Sequence, residues 1–210
     1  VYVLDWYDER ACHGQTPAGK ETGRVYKIAY GPGRPAPTAV DRLPSVELAR
    51  LQLSKNDWFV CHARRILAER AHAGDDLTAT HAVLRGILDE HAEVPRKLRA
   101  LWTLHVSGGA DRLLLLGLLD HASEYLRAWA IQLLLEDRVA TPELVRKLEQ
   151  LAREDPSPVV RLYLASALQR LDASDRWGIA AELVRHGEDE TDHNLPLMYW
   201  FGIEPILTSN

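Results

Sequence analysis

The chain has 210 residues, of which 46% are apolar and 26% are charged, and its formal net charge is −5. This composition is ordinary for a globular protein, and the chain is long enough to bury a core. The negative balance argues against a nucleic-acid partner, because nucleic-acid surfaces carry an excess of Lys and Arg. The longest uninterrupted apolar run, at 113–119, is far shorter than the roughly 20 residues of a membrane span. We therefore expect no nucleic-acid partner and no membrane span in this segment.

Residues 1–30 predict two short β-strands joined by a polar loop. The segments VYVLDWY and GRVYKIAY are rich in Val, Tyr and Ile, as strands are. Two strands alone are barely stable in water, so we expect them to join a larger sheet. The chain does not begin with Met and its first residues already resemble a strand, which favours an excised or truncated piece.

The stretch after the first strand-like run carries ionisable and redox-capable side chains, chiefly Asp5, Asp8, Cys12 and His13. Carboxylate, thiolate and imidazole are all metal-ligand types, so this is a candidate metal or redox site. No second Cys follows two residues after Cys12, which excludes a zinc ribbon and a CxxCH haem attachment here. The alternative is a polar inter-strand loop held by carboxylate caps. The residues alone identify no catalytic group and no metal ligand.

The remainder of the chain predicts a linker followed by helices. Residues 31–44 are rich in Pro and Gly, which break both helices and strands. From residue 45 the apolar spacing becomes helical, as at i, i+4, i+7 and i+8 in the segment 144–152. A capping residue followed by Pro, at 141–142 and 157–158, marks two helix starts.

The helical segments resemble one another. Aligning Cys61, Arg127 and Arg161 gives separations of 66 and 34 residues, so a further unit fits between the first two. Helix pairs that repeat at such a period and cannot bury their faces alone are typical of an α-solenoid. We predict a mainly α chain, with a HEAT-like α-solenoid of about four helix pairs over 45–210 behind the short β segment. The predicted pairs are at about 56–91, 95–121, 123–155 and 157–187.

Three further residue groups have both a chemical and a structural interpretation. The acidic run at 187–194 lacks the calcium-loop spacing and is expected to be a solvated connection between repeats. Histidines in or beside the helices lack a zinc spacing and are expected at the surface or between repeats: His62, His81, His91, His105 and His121. Four tryptophans recur about once per repeat and are expected in the core rather than in a binding groove: Trp58, Trp102, Trp129 and Trp177.

The stretches LDWYD, CHG and GRVYKI resemble the last propeller strands of large bacterial proteins, the planctomycete-type membrane-bound dehydrogenases. Three later stretches resemble the region downstream of the propeller in that family: NDWFVCHARRILAER, LRALWTLH with SEYLRAWAIQLL, and DHNLPLMYWFGIEPIL. The resemblance covers nearly the whole chain. It is carried by DWYD, GRVYKI and DHNLPLMYW, whereas the HEAT-like helices alone are not specific.

The family combines a quinoprotein-dehydrogenase-like β-propeller, HEAT-like repeats and a cytochrome c domain with CxxCH. The resemblance implies that residues 1–30 close a propeller, that the parent is an oxidoreductase using haem c and a quinone such as PQQ, and that it is periplasmic or in the cell envelope. This segment contains no CxxCH and is expected to bind no cofactor itself. Eight positions match the propeller-end motif without an assigned catalytic role: Asp5, Trp6, Tyr7, Asp8, Cys12, His13, Gly23 and Arg24.

Three hypotheses for function remain open. The first is a non-catalytic scaffold that contacts the propeller and cytochrome domains of the same chain. The second is a free-standing solenoid that binds a protein or peptide on one face. The third is a small metal or redox enzyme centred on Asp5, Cys12 and His13.

Overall fold

The computed structural model describes residues 1–4, 24–28, 30–31 and 39–207. The chain divides into two compact units, Val1–Ala39 and Val40–Asn210. In the first unit, strands β1 (Tyr2–Leu4) and β2 (Val25–Lys27) pair antiparallel, with Val3 opposite Tyr26. The prediction of a mainly α chain preceded by a short β segment is confirmed.

The described part of the second unit consists of α-helices joined by short turns and three single turns of 3-10 helix. The 3-10 turns are Val40–Arg42, Leu51–Leu53 and Gly187–Asp189. The α-helices are α1 (Ser45–Arg50), α2 (Asp57–His72), α3 (Thr78–Glu90), α4 (Val94–Val106), α5 (Arg112–Leu118), α6 (Glu124–Leu134), α7 (Pro142–Glu154), α8 (Pro158–Leu168), α9 (Ala173–Leu183) and α10 (Leu195–Leu207).

The helices of this unit form two layers. Helices α2, α4, α6 and α8 each contact the next even-numbered helix, and α3, α5, α7 and α9 each pack on the even-numbered helix that comes next in the chain. Among the odd-numbered helices, α1 contacts α3 and α7 contacts α9. Each predicted unit coincides with one helix pair, from α2–α3 to α8–α9. Helix α10 then has the place of the first helix of another pair.

The N-cap residues define the register of the repeats. The residue eleven positions after each cap (Asn56, Glu93, Ser123 or Ser157) is a Leu that is fully or almost fully buried: Leu67, Leu104, Leu134 and Leu168. Leu104, Leu134 and Leu168 belong to the large apolar core of the helical unit, and Leu67 belongs to a second, smaller core. A buried Leu at the same position of each unit is typical of stacked helical repeats.

The cap register corrects the alignment made from the sequence. Arg127 and Arg161 lie four residues after their caps, and the equivalent residue of α2 is the buried Val60 rather than Cys61. Cys61 is exposed and carries no disulfide. Cys61 was therefore aligned one residue out of phase with Arg127 and Arg161.

The expectation that all four tryptophans lie in the core is wrong for two of them. Trp102 and Trp129 are partly buried against the core, but Trp58 is 49% exposed and Trp177 is 40% exposed. Trp58 is on the outer side of α2, where its ring stacks on His62 at 3.9 Å between centroids. In α9 the buried stripe is Ile179, Ala180 and Leu183, and Trp177 lies outside this stripe. Trp177, Ala180 and Val184 also have a helical spacing, but Val184 is exposed as well.

Candidate functional site

An apolar groove runs across three helices of the even-numbered layer. Its volume is about 460 Å³, within the range of ligand-binding clefts. Helix α6 contributes one wall, α8 the floor and α10 the other wall. The lining residues are Trp129, Gln132, Leu162, Tyr163, Ser166, Asn194, Leu197, Met198 and Phe201.

The groove exists because α10 approaches α8 closely and presents a second apolar face. A Cβ atom on Gly202 would lie 2.5 Å from Leu168 Cδ1 and 3.0 Å from Leu168 Cβ, so only glycine allows this helix spacing. Helix α10 is apolar on nearly all sides, and its outward residues Leu197 and Phe201 are 57% and 51% exposed. A helix that is apolar all round is normally covered on every side.

Helix α10 is anchored by a buried carboxylate network. Asp189 accepts Nε–H and Nη2–H of Arg161 at 2.6 and 2.5 Å and the hydroxyl of Tyr199 at 2.6 Å. Burial by itself would raise the pKa of Asp189, but these hydrogen bonds outweigh burial and hold that pKa below its usual value. Burial, and next the hydrogen bond to Asp189, raises the pKa of Tyr199, so the phenol stays protonated as a donor.

The same arrangement occurs one repeat earlier. Arg127 donates from Nε and Nη2 to the two oxygens of Asp155 at 2.7 and 2.8 Å. In both pairs the Asp lies 28 residues after the Arg. Asp155 comes just before α8, and Asp189 lies in the 3-10 turn before α10. Hydrogen bonds from the Arg side chains to these carboxylates raise the pKa of both guanidinium groups. These two-point pairs fix the helix spacing that shapes the groove.

A row of aromatic rings leads along the layer into the groove. Trp102 of α4 meets Trp129 of α6 edge-on at 4.9 Å, and Trp129 lies 6.1 Å from Tyr163 of α8. The Arg64 guanidinium lies 5.2 Å from the Trp102 ring on the other side. Phe201 of α10 lines the same groove as Tyr163. Helices α4, α6 and α8 thus each contribute one aromatic side chain to the row.

The groove carries no formally charged side chain, but it has unpaired polar groups. Within the described part of the chain, the side chains of Gln132, Ser166 and Asn194 and the hydroxyl of Tyr163 form no hydrogen bond. Burial raises the pKa of Tyr163, so its hydroxyl is a neutral donor. An uncharged apolar ligand with hydrogen-bonding groups of its own would suit such a lining.

The residues chosen from the sequence lie elsewhere. The cluster of Asp5, Asp8, Cys12 and His13 lies outside the described residues, so its role stays a hypothesis. In the ranges that the structure describes, no three His, Cys, Asp or Glu side chains are grouped as a metal site would require. The nitrogen atoms Nδ1 of His91 and His121 accept backbone N–H groups two residues on, a structural role at the starts of α4 and α6.

The acidic run at 187–194 differs from the expected solvated connection. Asp189 is only 5% exposed and binds Arg161 and Tyr199. Asp192 Oδ1 accepts the N–H groups of Asn194 and Leu195 and so caps α10. The run therefore positions the last helix. Its spacing from Arg161, equal to that between Arg127 and Asp155, was the sequence signal that the prediction missed.

Among the groove residues, the sequence prediction singled out Trp129 but assigned it to the core rather than to a binding groove. Trp129 and Tyr163 are 34 residues apart, which equals the separation of Arg127 and Arg161 in the aligned repeats. This spacing was the available sign that both side chains face the same way.

Comparisons with protein-family models, with curated proteins and with solved structures found no match to the chain. No helix in the described ranges combines the length and apolar character that crossing a membrane requires.

Proposed function

We propose that the helical unit is a non-catalytic interaction scaffold whose groove between α6, α8 and α10 binds a segment of another domain or protein. The observation that carries this proposal is the groove itself. It combines exposed aromatic and aliphatic side chains with unpaired polar groups, and aromatic anchors in a pocket are typical of protein-binding hot spots.

The contacts around the groove support this role. Phe201 and Leu197 remain about half exposed although they are large and apolar. The walls are held rigidly, because the Arg161–Asp189 pair and the Gly202–Leu168 contact fix α10 on α8. A rigid, preformed apolar surface binds a partner with little loss of its own conformational entropy.

The identity of the parent protein is a separate part of the proposal. Its support is the resemblance of DWYD, GRVYKI and DHNLPLMYW to the propeller–HEAT–cytochrome c dehydrogenases. On this view the scaffold serves a periplasmic oxidoreductase that uses haem c and a quinone such as PQQ, and its partners are the propeller and cytochrome domains. Gene sequence on both sides of this segment, encoding a propeller upstream and CxxCH downstream, would support that parentage. Its absence would leave a free-standing binding module.

Photo-crosslinking tests the binding role. Benzoylphenylalanine in place of Phe201 is expected to crosslink to one defined polypeptide, or to one defined domain of the parent. The same group in place of Arg146, an exposed residue of α7, is the matched control and is expected to give no specific product. Equal crosslinking from both positions would reject the groove as the binding site. Dye-linked oxidation of sugars or alcohols by the chain alone would reject the non-catalytic role.

A further inference from the structure

We propose that the turn between α5 and α6 is an acid-sensitive joint, in which protonation of His121 releases the start of α6. The turn consists of residues 119–123. This inference goes beyond the proposed binding role and does not depend on it. It follows from the hydrogen bonds that precede the even-numbered helices, from the charges around His121 and from the contacts of Arg127.

The same local hydrogen bond precedes each even-numbered helix from α2 to α10. A side chain accepts the backbone N–H of the residue that lies two positions further on and directly before the helix. This bond satisfies an N–H group that the helix itself leaves without a partner. The acceptors are Ser54 Oγ, His91 Nδ1, His121 Nδ1, Asp155 Oδ1 and Asp192 Oδ1, at 3.1, 3.0, 2.9, 3.0 and 2.8 Å from the nitrogen.

The acceptor is an imidazole nitrogen before α4 and α6 and an oxygen before the other three helices. A hydroxyl or carboxylate oxygen accepts a hydrogen bond throughout the range of about pH 5 to 8, whereas an imidazole nitrogen accepts only while it carries no proton. A proton on Nδ1 of His121 would point at the N–H of Ser123, so two donors would face each other. Protonation therefore removes the bond that precedes α6.

The surroundings of His121 disfavour its protonated form. The side chain is partly buried. Burial first, and then the positive charges of Lys97 in α4 and Arg127 in α6, lower the pKa of His121. A cavity of about 430 Å³ beside the turn adds a further cation, Lys147 of α7. The folded chain thus favours the neutral imidazole that the hydrogen bond requires.

The acidic groups around the turn offer an imidazolium no free counter-charge. Three of them line the cavity and one begins α6. All four are already held by other donors: Asp120 by Lys147, Glu124 by Ser157, Glu154 by Gln150 and Asp155 by Arg127. A second positive charge at this place would therefore meet repulsion from Lys97 and Arg127 without a matching gain.

The contacts of Arg127 carry the effect from the turn to α8. Nη1 of Arg127 donates to the carbonyl groups of His121 and Ala122 at 2.8 and 3.1 Å. Its Nε and Nη2 bind Asp155, which lies directly before the cap of α8. One guanidinium thus joins the turn before α6 to the turn before α8. Release of the first turn is expected to loosen the contact between these two helices. Because α6 is one wall of the groove, partner binding would weaken in acid, a consequence that rests on the proposed function.

The direction of the pH effect follows from the lowered pKa of His121. As the pH falls, the unfolded chain takes up the proton first, because a His side chain in water has a pKa of about 6.5. The contribution of the neutral imidazole to stability is therefore fully present above about pH 6.5. It is lost as the pH falls from there through the lower folded value.

Variants of the full 210-residue chain test the joint. His121→Asp supplies the acceptor that Asp155 provides one repeat later, and an Asp carboxylate stays ionised above about pH 5. Between about pH 7.5 and 5.5 we expect the unfolding equilibrium constant of the wild type to rise about two- to tenfold more than that of His121→Asp, as measured by urea titration. His72→Gln replaces an exposed His of α2 and is the matched control, which is expected to keep the pH dependence of the wild type.

Two local measurements by NMR spectroscopy examine the turn itself. The ring proton of His121 is expected on Nε2 at about pH 7.5, which leaves Nδ1 free to accept the N–H of Ser123. Hydrogen exchange reports on the start of α6, where the N–H groups of Leu126 and Arg127 donate to the carbonyl of Ser123. We expect the protection of these N–H groups and that of Ser123 to fall about two- to tenfold between pH 7.5 and 5.5 in the wild type and to stay constant in His121→Asp.

Several outcomes would overturn the inference. A proton on Nδ1 of His121 at pH 7.5 would do so, as would protection of Ser123 that does not change with pH. Equal pH dependence of stability in the wild type and His121→Asp would also reject the joint. If His121→Asp does not fold, the tautomer and the exchange of the wild type decide. None of these measurements involves a partner, so their failure leaves the binding role to the crosslinking test at position 201.

Discussion

Arg161 and Asp189 form a buried two-point ion pair that joins α8 to the turn before α10. Their side chains are 3% and 5% exposed, and the phenol of Tyr199 supplies a third hydrogen bond to the carboxylate. A buried charge without its partner is strongly unfavourable, so the pair makes the position of α10 dependent on each member. Because α10 forms one wall of the groove, this pair connects the stability of the last helix to the candidate binding site.

Removal of one member of the pair is expected to destabilise the helical unit. In Asp189→Ala the guanidinium of Arg161 stays buried, and its nearest remaining carboxylate, Glu188, is 3.6 Å away and exposed. We expect the free energy of unfolding to fall by about 3–5 kcal/mol in urea titrations. The control is Glu69→Ala, which breaks an exposed pair with Arg65 and is expected to have no measurable effect. Equal effects of the two variants would contradict the role of burial.

The same pair predicts a dependence of stability on pH. The pKa of Asp189 is lowered in the folded chain, so the unfolded chain takes up the proton first as the pH falls. The contribution of the pair is therefore fully present above the ordinary Asp pKa of about 3.9 and is lost as the pH falls through the folded value.

Urea titrations of the wild type and Asp189→Asn at several pH values between about 3 and 7 check this sign. The stability difference between the two proteins is expected to be largest near neutral pH and to shrink in acid. Other carboxylates, such as Asp111 and Asp192, also have pKa values lowered by hydrogen bonds and also make stability depend on pH. Both proteins contain these groups, so their effect cancels in the stability difference between the wild type and Asp189→Asn. A constant difference at all pH values would contradict the assignment.

Gly202 is expected to tolerate no side chain. Gly202→Ala places a Cβ against Leu168 of α8, and overpacking of this kind lowers the unfolding free energy by about 1–3 kcal/mol. Because α10 must move, partner crosslinking from position 201 should weaken as well. Gly86→Ala in α3 is the matched control, since its Cβ would meet nothing within 4 Å. That variant is expected to be stabilised by up to about 1 kcal/mol, because Ala favours helix over Gly. Destabilisation of both variants alike would reject the close contact.

The exposure of Trp58 predicts a small effect of its removal. Trp58→Ala loses the ring contacts with Phe59 and His62 but leaves no buried cavity, and we expect a loss of about 0.5–1.5 kcal/mol. Leu148→Ala, at a fully buried position of α7, is expected to lose about 2–5 kcal/mol although it removes fewer atoms. Thermal and urea unfolding of both variants measure the difference. A larger loss for Trp58→Ala would place that ring in the core after all.

Several features of the fold could be predicted from the sequence for a physical reason. Apolar residues at helical spacing, as in Leu144 and Leu148, can be buried together only on one side of a helix. Cap residues such as Thr141 and Ser157 mark helix starts, because they satisfy backbone N–H groups locally. Both signals are local, so the helix pairs and their number can be read from the sequence alone.

The rest was decided by tertiary packing. Ala180 belongs to two competing apolar stripes of α9, and only contact with neighbouring helices shows that the stripe with Ile179 and Leu183 is buried. In the sequence, Asp189 cannot be distinguished from the other acidic residues of its run. Its role appears only in the folded chain, where α8 and α10 bring Arg161 and Tyr199 to its carboxylate. The groove depends on three helices of different repeats at once, and no segment shorter than the assembled layer contains the information that Tyr163 and Phe201 line one site. Local propensity specified the helices of this protein, whereas long-range packing alone specified which of their faces remain open to a partner.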